Sequence, residues 1–257
     1  MHAQGGLPIP GITHIQQPCW WTQGRPLGLE PEAFGLQAAQ WLEQRILELG
    51  PENVAAFIGE PIQGAGGVII PPASYWPENQ RISERYGILL VSDEVICDFG
   101  RTGHWFGCET FGFTPDLMTF AKGVTSGYVP LGGVMVGERV ARVLIEQGGE
   151  FAHGYTYSGH PVACAVGQAQ TCGLMGALVL VQDKARGTAF PGEHEVGMVC
   201  RKHCFANGLV MRAVGDRMII APPLVITRAQ IDEMIELIHR CLDLTLEEVR
   251  RNGWGGG

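Results

Sequence analysis

The sequence predicts an α/β fold, in which a mostly parallel sheet carries flanking helices and a smaller α+β region follows. Short apolar runs alternate with amphipathic helical patterns over the first part of the chain, and this alternation is typical of parallel sheets. Residues 88–91 and 117–121 are apolar runs that end in polar or charged residues. Runs of this kind indicate strands that are buried on both faces of a sheet.

The predicted sheet lies within residues 1–165. Residues 1–28 are rich in Gly and Pro, which predicts an extended entry segment. Apolar residues at three- and four-residue steps predict a helix from Pro31, and Gly50 ends it. The glycines of residues 64–67 lead into an apolar run rather than a helix, so they indicate a turn or a close backbone approach. The remaining patterns predict helices over residues 75–86 and 138–147, and strands over residues 54–59, 88–91, 117–121 and 131–136.

Residues 166–257 are predicted to form the smaller region. A helix of small residues begins at His160, and residues 174–181 follow as a strand. A helix over residues 196–205 ends at Asn207-Gly208, a favourable C-terminal cap, and a hairpin is predicted around Gly215-Asp216. Thr227 and Gln230 form a capping box. It opens a long helix with one apolar face, composed of Ile231, Met234, Ile235, Ile238, Cys241, Leu242, Thr245 and Val249.

Charge and composition narrow the functional classes. The 257 residues carry a net charge of −8, which argues against a nucleic acid or an anionic membrane as partner. We find no apolar run near the roughly 20 residues that span a bilayer. The N-terminus lacks the basic and apolar regions of a signal peptide, so a cytoplasmic location is expected by default. Cys200, His203 and Cys204 share a helical pattern but offer too few ligands for zinc, and we predict no metal.

Asp93 and Lys122 each follow one of the predicted buried strands. Ligands of open α/β sheets bind at the C-terminal ends of the strands, so both side chains are expected at one crevice. Either residue alone is typical of a turn or a solvated surface, but the pair favours a functional site. A desolvated lysine forms Schiff bases with carbonyl compounds, and an acid beside the pyridine nitrogen makes pyridoxal phosphate an electron sink. The pair therefore predicts a pyridoxal phosphate site.

Several motifs then occur in the order found in one enzyme family. They are EPIQGAGG at residues 60–67, SDEV at 92–95, FGRTG at 99–103, AKGVTSGY at 121–128, HGYTYSGHP at 153–161 and MRAVGD at 211–216. With them, nearly the whole chain resembles the class III aminotransferases of fold type I, which depend on pyridoxal 5'-phosphate. Within that family it is most similar to ω-transaminases that move the terminal amine of putrescine or another polyamine to pyruvate.

The resemblance implies a role for each of seven residues. Lys122 would hold the cofactor covalently and shuttle the proton, and Asp93 would pair with the pyridinium nitrogen. Val95 would pack on the ring face, while Gln63 and Glu60 would lie near the phenolic oxygen and the substrate. Across a homodimer, Thr156 would bind the cofactor phosphate of the partner subunit. Arg212 would bind the carboxylate of the 2-oxo acid, which suits the geometry of a guanidinium group.

Three departures from the family pattern qualify this expectation. The N-terminal part of the family, which includes its phosphate-binding loop, has no counterpart, and several tens of residues are missing between Gln170 and Gly173. Asp98 stands where the family motif has Gly. The resemblance thus implies a partial cofactor-binding large domain over residues 1–165, a truncated small domain over residues 166–257, and impaired activity. The alternatives are an inactive fragment or pseudoenzyme that binds a full-length homologue, and an aminomutase or decarboxylase of the same fold.

Overall fold

Two β-sheets organise the part of the chain that the computed structural model describes, namely residues 9–168, 176–183, 186–223 and 226–255. The predicted shortening between Gln170 and Gly173 lies outside these residues. In chain order the elements are α1 (Pro31–Leu49), β1 (Ala56–Gly59), α2 (Tyr75–Tyr86), β2 (Leu89–Asp93), α3 (Gly107–Phe111), β3 (Leu117–Phe120), β4 (Gly133–Val136), α4 (Glu138–Gln147), α5 (Pro161–Gln168), β5 (Gly176–Val179), α6 (Val196–Ala206), β6 (Arg212–Val214), β7 (Arg217–Ile220) and α7 (Arg228–Arg251).

The first sheet has the strand order β1-β2-β3-β4 and is mostly parallel, as predicted. β1, β2 and β3 are parallel, and Asp93 lies opposite Thr119. β4 is the exception, because it runs antiparallel to β3 with Phe120 opposite Gly133. The segment between these two strands contains the 3₁₀ turn Lys122–Thr125 and no crossover helix, which a parallel neighbour ordinarily requires.

The prediction of an extended entry segment is wrong for Trp20–Gly24, which forms a π-helical turn. The Trp20 indole Nε1 donates a hydrogen bond of 2.7 Å to the carbonyl oxygen of Leu29. A Cβ at Gly24 would lie 2.6 Å from the Phe34 ring, so the turn packs directly against α1. The hydrogen bond of the Trp20 indole and the packing of Gly24 on Phe34 fold the segment back, and they outweigh the Gly and Pro signal.

The core beneath the first sheet is centred on Trp76 of α2. Its side chain is 1% exposed, and its ring stacks on Phe113 with centroids 4.5 Å apart. The indole Nε1 donates a hydrogen bond of 3.1 Å to the carbonyl oxygen of Pro61, so its one polar group is satisfied. The buried members of this cluster are Phe34, Ala38, Ala39, Leu42, Ile46, Tyr75, Trp76, Ile82, Ile88, Leu90, Cys108 and Phe113.

The second sheet is antiparallel, with the strand order β5-β7-β6. It confirms the predicted hairpin, and α6 and α7 pack against each other beside it. Cys200 and Cys204 are buried in the core there, while His203 lies 2.9 Å from Glu248 in an Nε2–Oε2 contact. Ile235 of the predicted apolar face of α7 is 42% exposed, whereas Ile238 and Cys241 of the same face are buried.

Contacts join the two sheets. Ile62, Val68 and Cys97 form a small buried cluster against which Ala177 of β5 and Ile219 of β7 pack. The Arg101 guanidinium also donates a hydrogen bond of 3.2 Å to the carbonyl oxygen of Pro222. These contacts bring the loops around the first sheet against the second. A domain division between residues 165 and 166 stays a prediction.

An apolar surface formed by α4 and β4 is uncovered. No residue of α4 is buried, and the side chains of Val134, Met135, Val136, Val143, Leu144 and Ile145 are 38–83% exposed. β4 has β3 as its only partner strand within the described part of the chain. Apolar patches and strand edges of this kind favour contact with another chain.

None of the described helices is long and apolar enough to cross a membrane.

We expect the replacement of Thr227 by alanine to lower the free energy of unfolding by about 1 kcal/mol, since Thr227 caps α7. The Thr227 hydroxyl accepts a hydrogen bond of 3.3 Å from the Gln230 amide, and the Gln230 side chain accepts one of 2.9 Å from the Thr227 amide. Urea-induced unfolding measures the loss. Thr227→Ser keeps the hydroxyl and is the matched control; equal midpoints for the two variants would contradict the predicted capping role.

Candidate active site

Three neighbouring parallel strands deliver three charged residues to one edge of the first sheet. Glu60 follows β1 directly, Asp93 is the last residue of β2, and Lys122 lies two residues after the end of β3. The C-terminal ends of these strands meet at the same edge because the strands are parallel. The predicted convergence of Asp93 and Lys122 therefore has its structural basis in strand order.

Asp93 is held by neighbours that orient its carboxylate. Its Oδ1 accepts a hydrogen bond of 3.1 Å from the Thr119 hydroxyl on the adjacent strand and one of 3.2 Å from the Val95 amide. Its Oδ2 accepts none from the residues that the structure describes. Half-buried and fixed through one oxygen, Asp93 retains the other as an acceptor for a ligand.

Glu60 interacts electrostatically with both Asp93 and Lys122. Burial raises the pKa of its carboxyl group, the hydrogen bond from the Gly64 amide lowers it, and the nearby charges of Asp93 and Lys122 raise and lower it respectively. The Gly64 amide donates to the Glu60 Oε2 at 2.9 Å. Glu60 therefore lies within electrostatic reach of both Asp93 and Lys122, and its side chain is oriented by the loop that follows it.

That loop, residues 60–67, is closed by backbone pairing. Gln63 forms an isolated antiparallel bridge with Ile69, and the side chain of Gln63 is half-buried. Gly67 has a φ of +109°, and a Cβ at this position would lie 2.6 Å from the Arg217 side chain. The predicted turn with a close backbone approach is confirmed, and the close neighbour comes from the second sheet.

Lys122 is exposed, so the expectation that burial desolvates its amine is wrong for this chain. The residue begins the 3₁₀ turn that follows β3, a strand whose residues are all only half-buried. It has a φ of +29°, a positive value uncommon for residues other than Gly. The backbone there is constrained even though the side chain reaches solvent.

Glu94 was not among the predicted site residues, yet it is fully buried next to Asp93. Its carboxylate accepts hydrogen bonds from the amides of Gly107 at 2.7 Å and Cys108 at 2.8 Å, and from the Ser92 hydroxyl at 2.9 Å. Burial is the main cause that raises the pKa of Glu94, and the hydrogen bonds oppose it. Glu94 fixes the start of α3 against β2; a second acid directly after the predicted strand was the sequence signal for it.

Thr156 and Arg212 are not brought to this edge. Thr156 lies in an exposed turn, and Arg212 is an exposed residue at the start of β6. Within the described ranges, neither residue has a hydrogen bond or ion pair with Glu60, Asp93 or Lys122. Their predicted roles depend on a partner subunit or on a substrate, and these roles stay predictions.

The profile of the class-III aminotransferases matches residues 6–172, a stretch that includes the three strand ends. The chain belongs to the class-III aminotransferase family. It is 50% identical to the putrescine–pyruvate aminotransferase of Pseudomonas aeruginosa, over 97% of this chain and 62% of that protein. It is 37% identical to gamma aminobutyrate transaminase 1 of Solanum lycopersicum, over 97% of this chain and 56% of that protein. The resemblance seen in the sequence motifs is thereby confirmed.

Solved structures of transaminases share the fold of this family member. A thermostable (S)-enantioselective omega-transaminase from Thermomicrobium roseum matches with a TM-score of 0.85 and 40% identity, over 95% of this chain and 62% of that chain. A PMP-bound aminotransferase from Vibrio fluvialis matches with a TM-score of 0.88 and 36% identity, over 95% of this chain and 63% of that chain. The α/β architecture is therefore that of a transaminase.

The chain spans about three fifths of the length of the aminotransferases it matches, for example 62% of the Pseudomonas aeruginosa protein. The alignment with that protein extends over 287 positions, which is 30 more than the 257 residues of this chain. The relative therefore has internal residues without a counterpart here. This agrees with the predicted shortening, whose place in the sequence stays a prediction.

Proposed function

We propose that the sheet edge formed by Glu60, Asp93 and Lys122 is the ring-binding part of a pyridoxal 5'-phosphate site. The observation that carries the proposal is the delivery of Asp93 and Lys122 by adjacent parallel strands, with Glu60 within electrostatic reach of both. The open Asp93 Oδ2 fits a pyridine N–H, and the exposed Lys122 amine fits a carbonyl carbon. The reaction would move an amino group from a primary amine such as putrescine to pyruvate, as the name of the Pseudomonas aeruginosa relative suggests.

The chain's own residues would divide the work as follows. When bound, the cofactor withdraws electrons from the substrate carbon that bears the amine. Lys122 would hold the cofactor and, once displaced by substrate, remove and return the proton at that carbon. Asp93 would accept a hydrogen bond from the pyridine nitrogen and keep it positively charged, while Thr119 orients its carboxylate. Val95 would pack against one face of the ring.

The remaining assignments concern the edge of the site. Gln63 and Glu60 would lie near the phenolic oxygen and the substrate amine, where burial raises the pKa of the Glu60 carboxyl group. Arg212 would bind the carboxylate of pyruvate by a bidentate contact. Thr156 would bind phosphate in the partner subunit of a homodimer. Exposure of both residues is consistent with groups that act on a substrate or on a second chain.

Lys122→Ala is expected to abolish covalent capture of pyridoxal phosphate. The wild-type chain is incubated with the cofactor and reduced with borohydride, and the modified lysine is located by mass spectrometry. The label is expected on Lys122, since an unhindered amine beside Asp93 is the group suited to the carbonyl. With putrescine, the variant is expected to lose at least about 10²-fold in the rate of the first half-reaction, the usual scale of a lost proton-transfer group.

Lys202→Ala, which removes an exposed lysine of α6, is the control and is expected to leave capture unchanged. Label distributed equally over Lys122 and Lys202 would rule out the assignment.

Product analysis with and without pyruvate separates transamination from aminomutase or decarboxylase chemistry. Full putrescine–pyruvate turnover by this chain alone would contradict its predicted impairment.

A second candidate function is supported by the uncovered apolar surface of α4 and β4. We propose as the alternative that the chain is inactive alone and binds a full-length homologue through this surface. Val136 and Ile145 are 45% and 83% exposed, and exposed apolar area of this kind favours association. Size-exclusion chromatography of the chain with a full-length homologue tests it: a stable complex that V136E/I145E disrupts supports the alternative, and separate elution opposes it.

A further inference from the structure

Asp98 is a buried carboxylate that touches the turn carrying Lys122. Its side chain is 2% exposed. As noted for the sequence, the family motif has Gly at this position. The Asp98 Oδ2 accepts a hydrogen bond of 3.1 Å from the Ala121 amide, the residue directly before Lys122. A buried carboxylate is costly unless it is hydrogen-bonded, and this contact offsets part of the cost of burying Asp98.

The other oxygen of the carboxylate, Oδ1, lies close to Gly123, the residue directly after Lys122. A Cβ added at Gly123 would be 2.5 Å from the Asp98 Oδ1, so the carboxylate occupies the space that a side chain at residue 123 would need. Asp98 therefore contacts the residue before Lys122 and lies against the residue after it. Between these contacts the Lys122 backbone adopts its positive φ of +29°.

The base of this contact is itself rigid. The Asp98 amide donates a hydrogen bond of 2.8 Å to the carbonyl oxygen of Glu94, and the Asp98 carbonyl accepts one of 3.3 Å from the Arg101 amide. Glu94 is in turn fixed by its three hydrogen bonds near the start of α3. Constraint thus passes from α3 through Glu94 and Asp98 to the turn after β3.

We propose that Asp98 is a positioning residue for Lys122: its buried carboxyl group fixes the turn from Ala121 to Gly123 and so sets the orientation and reactivity of the lysine amine. The proposal rests on the proposed function of Lys122, but the position of the turn and the reactivity of the amine can be measured without cofactor. Asp98, which replaces the Gly of the family motif, would thereby change the reactivity of the Lys122 amine through the backbone of the turn.

The charge of Asp98 makes this control sensitive to pH. The pKa of Asp98 is raised to about 7, mainly by burial: Glu94 also raises it, while the Ala121 hydrogen bond and the charges of Lys122 and Arg101 lower it. The neighbouring Cys97 thiol also faces this charge, and burial raises the pKa of that thiol so that it stays neutral. Ionised Asp98 accepts a stronger hydrogen bond and attracts the Lys122 ammonium group, so we expect both effects to grow as pH rises through about 7.

Two measurements on the cofactor-free chain test the proposal. Amide hydrogen exchange followed by mass spectrometry reports on the turn at residues 121–123. Reductive methylation with formaldehyde and cyanoborohydride reports on lysine reactivity, and it is easily mapped because the chain has three lysines, Lys122, Lys184 and Lys202. Asp98→Asn keeps a side-chain oxygen but not the charge; Asp98→Ala removes both. Lys202, on α6, is the internal standard.

In Asp98→Ala we expect exchange over residues 121–123 to be at least tenfold faster than in wild type, whereas Asp98→Asn retains most of the protection. At pH 8 we expect Lys122 in Asp98→Asn to be methylated severalfold faster, relative to Lys202, than in wild type, with the difference shrinking toward pH 6. Unchanged Lys122 labelling in Asp98→Asn overturns the proposal, even if Asp98→Ala fails to fold. Capture of pyridoxal phosphate on Lys122 is scored separately, so failure of the proposed function is distinguishable.

Discussion

Replacement of Trp76 by alanine is expected to lower the free energy of unfolding by about 3–5 kcal/mol, the range for loss of a large buried aromatic side chain. The indole is 1% exposed and stacks on Phe113 at 4.5 Å. Its removal leaves a cavity that the surrounding helix and strand cannot close without distortion. It also leaves the Pro61 carbonyl without the hydrogen bond from Nε1. Because most domains are stable by only about 5–15 kcal/mol, this loss is a large fraction of the total, and the variant is expected to unfold at a much lower urea concentration.

Urea-induced unfolding followed by circular dichroism measures this loss. Trp105→Ala is the matched control, because its side chain is 55% exposed and a surface substitution ordinarily changes the free energy by no more than about 0.5 kcal/mol. Trp76→Phe retains the stacked ring without the indole N–H and is expected to fall between the two. Equal stability of Trp76→Ala and Trp105→Ala would show that the first sheet does not depend on this core.

Asp98→Asn is expected to stabilise the chain at neutral and alkaline pH. Burial raises the pKa of Asp98 in the folded chain from 3.8 to about 7, so between these values the folded state binds more protons than the unfolded state. Its contribution to the free energy of unfolding therefore falls as pH rises through this window and is constant above it. At about 1.4 kcal/mol for each pKa unit, the full difference is about 4 kcal/mol.

The relevant measurement is the difference in free energy of unfolding between Asp98→Asn and wild type, at pH values from 4 to 8 by urea titration. We expect the difference to be small near pH 4, to favour the variant increasingly up to about pH 7, and then to level off. Asp232→Asn on the exposed side of α7 is the control, with an expected effect below about 0.5 kcal/mol at every pH. A difference that favours wild type as pH rises would mean that Lys122 and Arg101 outweigh the burial of Asp98.

The sequence was informative wherever a local pattern determines the structure. The helices over residues 31–49, 75–86 and 138–147 have the predicted bounds, because apolar periodicity and a terminal glycine act within the helix itself. The ends of β2 and β3 were predictable for the same reason, and with them the meeting of Asp93 and Lys122. The helix over residues 75–86 also accounts for the parallel pairing of β1 and β2, because a parallel neighbour needs a long crossover connection.

Features that depend on distant residues were out of reach. The exposure of Lys122 depends on what covers the edge of the sheet, and the reversed direction of β4 depends on the absence of a crossover helix rather than on the strand itself. Asp98 was visible in the sequence as a departure from the family motif. Its contacts with Ala121 and Gly123 could not be read, since they join two loops that only the sheet brings together.

The contact between Gly67 and Arg217 has a consequence for the order of folding during synthesis. The cluster around Trp76 draws on residues 34–113, so it can form as soon as that segment has left the ribosome. The loop beside Glu60 meets Arg217 from the second sheet, and the Arg217 guanidinium also reaches the Cys19 sulfur at 3.5 Å across 198 residues of chain. Contacts so distant in sequence form late. We therefore expect Asp93 and Lys122 to be placed early in translation and the Glu60 loop to reach its final position only after residue 217 has been added.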